Sequence, residues 1–110
     1  MNPEDRGVLA EHPTVTSRAD VVTAAPDRYA KQLVAHFGRK IAFTTDGTTS
    51  SATIGGATGQ VVVGDGVLTL LASAPDVASL AVVQDVLGRH LERFGARSEL
   101  VVSWTTEVPA

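Results

Sequence analysis

Residues 50–72 read SSATIGGATGQVVVGDGVLTLLA, and this stretch decides the fold. Three short runs, Ser50 to Gly55, Gly59 to Gly64 and Val67 to Ala72, carry Val, Ile, Thr and Leu and are separated by small residues. β-Branched side chains suit a pleated surface, and Asp65-Gly66 favours the tight turn of a hairpin, so the runs read as a meander of antiparallel strands. Upstream, Lys40 to Thr45 adds a half-buried strand, in which Ile41 and Phe43 alternate with more polar neighbours before Asp46-Gly47 turns the chain.

Outward from the meander the period changes to that of a helix. Pro26 has the fixed φ of a first helical position, Asp27 sits where the positive helix end favours an acid, and Tyr29, Ala30, Leu33, Val34 and Phe37 follow at helical spacing until Gly38. After Pro75, Asp76 can cap a longer helix whose Leu80, Val83, Gln84, Leu87, Leu91 and Phe94 form one stripe ending at Gly95. Arg18 to Ala25, with Val21, Val22 and Thr23, reads as a first strand, and Glu99 to Thr106 as a last one in which Leu100, Val102 and Trp104 share a face. The predicted order is β-α-β-β-β-β-α-β, an α+β domain with an antiparallel sheet and two helices on one face. It spans residues 17–106, after a disordered N-terminal arm over residues 1–16 and before a tail over residues 107–110.

The chain has 110 residues, enough for one core. Nine Lys and Arg stand against 12 Asp and Glu, and the net charge of −3 gives no global attraction for nucleic acid or anionic lipid. With no cysteine, thiolate metal sites and cysteine nucleophiles are excluded. The first 16 residues match no secretory signal and no apolar run is long enough to span a bilayer, so a cytoplasmic location is expected.

The candidate chemistry is sparse. Gly55, Gly56 and Gly59, with Gly64 and Gly66, could suggest a phosphate loop, but strands flank each cluster and no Lys-Ser/Thr pair follows, so turns are expected. His36 and His90 lie on the flanks of the two helical stripes. Antiparallel packing should hold them roughly 15–20 Å apart, too far to share a metal, as boundary histidines near negative helix ends. Arg28, Lys31, Arg39 and Lys40 accompany the first helix, and Arg89, Arg93 and Arg97 the second; they suit helix dipoles before they suit an anion. Asp85 and Glu92 read as solvated charges. No nucleophile and base combination, cofactor fingerprint or metal cluster is evident, which disfavours an enzyme.

The sheet's second face should be polar, yet Val62, Val67, Leu71 and Val101 fall opposite the core set of Val61, Val63, Leu68, Leu70, Val102 and Trp104. An apolar band there marks an interface or a ligand groove; a homodimer or structural assembly subunit is the leading reading, with a β-propensity filler role for the valines as the alternative.

The segments Ala25 to Leu33 (APDRYAKQL), Gly38-Arg39-Lys40 and Val86 to Phe94 (VLGRHLERF), together with Trp104, resemble the bacterial family called domain of unknown function 2218. The resemblance implies a fold similar to the TATA-binding-protein-like α+β domains and brings no established activity. It implies an accessory, non-catalytic or small-ligand-binding role beside iron-uptake and siderophore-handling proteins, with a small anionic ligand or a siderophore-related protein as partner. On it, Tyr29, Lys31, His36, Arg39, His90 and Arg93 are the positions expected to meet such a ligand. DNA binding is not expected, because the strands carry Val, Thr and Ser where a minor-groove saddle needs basic and aromatic side chains.

Overall fold

Gly55 and Gly56 both have positive φ, 56° and 82°, the mirror-image turn whose twist suits a two-residue hairpin, so the glycine cluster is a turn between two strands. The computed structural model describes residues 14–107. In chain order the elements are β1 (Val15–Val22), α1 (Pro26–Phe37), β2 (Phe43–Asp46), β3 (Thr49–Ile54), β4 (Ala57–Val63), β5 (Val67–Ala74), α2 (Val77–Phe94), a single 3-10 turn (Ala96–Ser98) and β6 (Thr105–Glu107). The strands form one six-stranded sheet, ordered β2-β3-β4-β5-β1-β6, and every neighbouring pair is antiparallel. This is the α+β arrangement that the periodicities predict.

One face of the sheet carries the core. Leu33 of α1 and Leu80, Val83, Leu87 and Leu91 of α2 are fully buried against Val21, Val61, Leu68 and Leu70 of the strands. Gly59 lets α2 come close: a methyl group there would sit 3.2 Å from both Leu87 Cδ1 and Val83 Cγ1. The start of α2 is fixed by Asp76, whose Oδ1 accepts from Ser79 N at 2.7 Å, and that contact lowers the Asp76 carboxyl below its usual range.

Three sequence expectations change. The sheet begins earlier than predicted: Val15 is buried and Thr16 pairs with Ser73, so both belong to β1, while residues 1–13 of the expected arm lie outside the described residues. The tail beyond Glu107 also lies outside them.

The last strand is shorter than its alternation suggests. Glu99 takes a left-handed conformation, and residues 100–104 run along α2 instead of joining the sheet. Leu100 lies over Gly95, Val102 and Trp104 lie over Gly88, and Glu92 Oε2 accepts from Val102 N at 3.0 Å. Glu92 is therefore a tether for this segment and not a solvated charge. Asp85 is exposed and pairs with Arg89 one turn on, at 2.6 Å.

The third change concerns the apolar band. Val62 faces Thr69 across the ladder, Leu71 lies between Gln60 and Arg18, Val101 is outside any strand and 69% exposed, and Val67 alone meets an apolar partner, the exposed Val22. Polar neighbours interrupt the band, so it gives no continuous apolar interface on the sheet.

Candidate functional site

β1 alternates strictly: Val15, Ser17, Ala19 and Val21 point to the helices, and Thr16, Arg18, Asp20 and Val22 point away. The register extends this alternation across the sheet. Thr58, Ser73, Thr16 and Glu107 form one row on the open face, and Ser51, Gln60, Leu71, Arg18 and Thr105 form the next. Apart from Ser51, these residues line a concavity of about 770 Å³, together with Ser103. Leu71 and Ala72 are the apolar residues of its lining; the others carry hydroxyl, amide or charged groups, while carbon atoms still make up somewhat more than half of the lined surface.

Two of the charges on this face, Arg18 and Asp20, neutralise each other. Arg18 Nε lies 3.1 Å from Asp20 Oδ2, and Thr69 Oγ1 donates to Asp20 Oδ1 at 2.7 Å. The Arg18 hydrogen bond, with help from Thr69, holds the Asp20 carboxyl below its usual range. Gln60 Nε2 donates to Ser51 Oγ at 3.1 Å, which orients its amide along the row.

A polar knot centred on the buried Ser17 holds the β6 wall of the concavity. Ser17 Oγ accepts from Gln84 Nε2 at 2.8 Å and donates to the Thr105 carbonyl at 3.2 Å. Thr106 Oγ1 lies 3.3 Å from Ser17 Oγ and accepts from Gln84 Nε2 at 3.2 Å. α2 thereby fixes a strand that has only three residues of its own.

The residues singled out from sequence do not converge on one site. Tyr29 is only 3% exposed, a core residue whose hydroxyl contacts Ser98 at 3.5 Å and Arg28 at 3.3 Å. Lys31 is exposed on a groove between α1 and the β2-β3 hairpin, with Val34, Thr45 and Val63. Arg93 is exposed on the last turn of α2. His36, Arg39 and His90 do come together. His36 and Arg39 line a small hollow with Gln32, Ala35 and Phe94, and the His36 and His90 rings are 5.0 Å apart, centroid to centroid.

That distance overturns the predicted separation of the two histidines. The last turn of α1 meets the last two turns of α2, so position along each helix alone does not give their distance. Phe37 lies edge-on to both imidazoles, at 4.9 Å from His36 and 4.7 Å from His90, and Phe94 is 5.4 Å from His36. His90 Nδ1 is 2.7 Å from the Val86 carbonyl. A carbonyl only accepts, so Nδ1 carries the proton in this contact, and in the neutral ring Nε2 is then the acceptor nitrogen. Among the described residues, no group of three or more His, Asp or Glu side chains is placed to hold a metal ion.

The family profile described as "Uncharacterized protein conserved in bacteria (DUF2218)" matches residues 18–105. The chain belongs to the DUF2218 family. The matched span of this DUF2218 chain includes both histidines and most of the open face, from Arg18 to Thr105. The chain is also similar to the NMR structure of PA4090 from Pseudomonas aeruginosa, with 25% identity and a TM-score of 0.64 over 84% of this chain and 95% of that one. No curated protein matches the sequence. No helix among the described residues is long and apolar enough to cross a membrane.

The sequence points to the open face only through its apolar band; the polar rows go unread, because a strand begun at Arg18 leaves out the row that Thr16 shares with Thr58, Ser73 and Glu107.

Proposed function

We propose that the chain is a non-catalytic binding module whose open sheet face takes a small, oxygen-rich ligand. The observation that carries this reading is the two-row array of donors and acceptors lining the 770 Å³ concavity. That volume is within the range of small-molecule sites, about 300–1,000 Å³. The array matches a ligand with several hydroxyl or carbonyl oxygens. Arg18 is neutralised by Asp20, and Glu107 adds a negative charge, so the face suits a neutral or weakly charged molecule better than the anion expected at the helix cations. The accessory role in iron or siderophore handling that the family resemblance implies makes hydroxamate and catecholate chelators the first compounds to test.

The test is a thermal-shift screen with iron-free and ferric chelators, polyols and anionic metabolites. A ligand at 100 times its Kd adds about 2.7 kcal/mol to stability, which in a domain of this size raises Tm by about 10 °C. The combined variant Thr16→Ala, Gln60→Ala, Ser73→Ala should abolish the shift while leaving the unliganded Tm nearly unchanged. A shift that survives it, or no shift with any class, would sink the proposal.

A second reading, a self-associating structural subunit, draws on Val77 and Val82, which are 60% and 51% exposed on the first half of α2. In this reading the wild-type chain runs at dimer mass in light scattering, and Val82→Asp returns it to monomer mass. A monomeric wild type removes it.

A further inference from the structure

We propose that His36 and His90 form a two-imidazole site for a divalent late transition-metal ion, tightest for Cu²⁺, with its remaining coordination positions open to water or a small chelator. The ring spacing is the first argument. With metal–nitrogen bonds of about 2.1 Å, two imidazoles on one ion hold their centroids about 4.5 Å apart at a square ligand angle and about 5.2 Å apart at a tetrahedral one. The observed 5.0 Å lies between these, with the ring planes inclined at 40°.

The second argument is the hydrogen bond that His90 makes through Nδ1. Its Nδ1 proton goes to the Val86 carbonyl one turn back on the same helix, at 2.7 Å. This arrangement orients the ring and leaves Nε2 as the donor atom, as the outer hydrogen bond of a metal-bound histidine commonly does. The contact is made within α2, so no loop has to order when an ion binds.

The surroundings act on a cation in both directions. His36 stands in the last turn of α1, where the backbone dipoles present partial negative charge, and His90 stands one turn before the end of α2. Phe37 and Phe94 pack edge-on against the pair and exclude water from part of its perimeter. His36 is exposed, so an ion can enter. Arg39 shares the hollow beside His36 and opposes a bare cation, which favours an ion that arrives with an anionic chelator.

Two neutral nitrogens and no carboxylate form an open site. Borderline ions that prefer imidazole fit it, and hard ions such as Mg²⁺ and Ca²⁺ do not; among divalent ions the affinity should follow the order Zn²⁺ and Ni²⁺ below Cu²⁺.

The experiment is a Cu²⁺ titration of the whole chain followed by calorimetry and by electron paramagnetic resonance. The third histidine of the sequence, His12, is replaced by alanine throughout so that it does not contribute. One equivalent should bind with a nitrogen pattern from two imidazoles. His36→Gln and His90→Gln should each weaken binding at least tenfold, and paramagnetic broadening in NMR should centre on residues 33–37 and 86–94. Circular dichroism of each apo variant shows whether it is folded. Equal affinity in the wild type and in the His36→Gln/His90→Gln double variant overturns the proposal, as does a one-imidazole spectrum in the wild type. If the pair only packs the helix ends, the substitutions lower Tm equally with and without Cu²⁺, and that result also overturns it.

Discussion

Ser17→Ala tests how the open face is built. The Ser17 hydroxyl is buried in β1, accepts from Gln84 and donates to the Thr105 carbonyl, so it ties α2 to the edge strand that walls the concavity. Removing it leaves only a small void and breaks two hydrogen bonds at once. Gln84 Nε2 can fall back on Thr106 Oγ1, 3.2 Å away, and the Thr105 carbonyl can turn to water, so the net loss is about 1–2 kcal/mol. If all of it fell on global unfolding, Tm would drop by about 4–8 °C. β6, however, has three residues, all exposed, and should open on its own before the core does. Hydrogen exchange at the β6 amides should therefore speed up by a factor of about 5–30, while exchange in β4 and β5 changes far less. Ser17→Thr keeps a hydroxyl and should restore most of the protection. Unchanged β6 exchange in Ser17→Ala, or equal acceleration across the whole sheet, would refute the reasoning.

Two further outcomes follow from single positions. A methyl group at Gly95 would overlap Leu100, whose Cβ would be 2.9 Å away, so Gly95→Ala should cost about 1–3 kcal/mol in urea unfolding. Because φ at Gly95 is −97°, the cost comes from Leu100 and not from the backbone, and the Gly95→Ala/Leu100→Ala double variant should lose less than the sum of the singles. The Asp20 carboxyl titrates below its usual range in the folded chain, so its contribution to stability is complete above the unfolded value of about 3.9 and is lost as pH falls through the lower folded value. Between about pH 5 and pH 2 the wild-type Tm should fall more steeply than that of Asp20→Asn; parallel curves would contradict the Arg18 and Thr69 contacts as the cause.

Local signals made the architecture readable. Pro26 and Gly38 bracket α1, Asp76 and Gly95 bracket α2, and the two-glycine turn at Gly55-Gly56 fixes a hairpin. Each is a backbone requirement stated by neighbouring residues. What could not be read depends on how distant elements meet. The alternation of Leu100, Val102 and Trp104 shows which side is apolar, but nothing in it distinguishes a sheet neighbour from the flank of α2; the small residues that receive the segment, Gly88 and Gly95, are on another element. The distance between His36 and His90 depends on helix stagger, which is set by where the strands place each helix. The open face was half legible: its hydroxyls are in the sequence, but their rows exist only once the register brings Thr58, Ser73 and Thr16 side by side.

The most direct test of the account is a ¹⁵N NMR titration of the wild-type chain with the chelator or polyol that stabilises it most. Ligand binding on the open face predicts the largest amide shifts at residues 16–20, 58–60, 71–73 and 105–107, with α1 nearly silent. Shifts centred on Lys31, Arg39 and Arg93, or on the exposed face of α2, would contradict it.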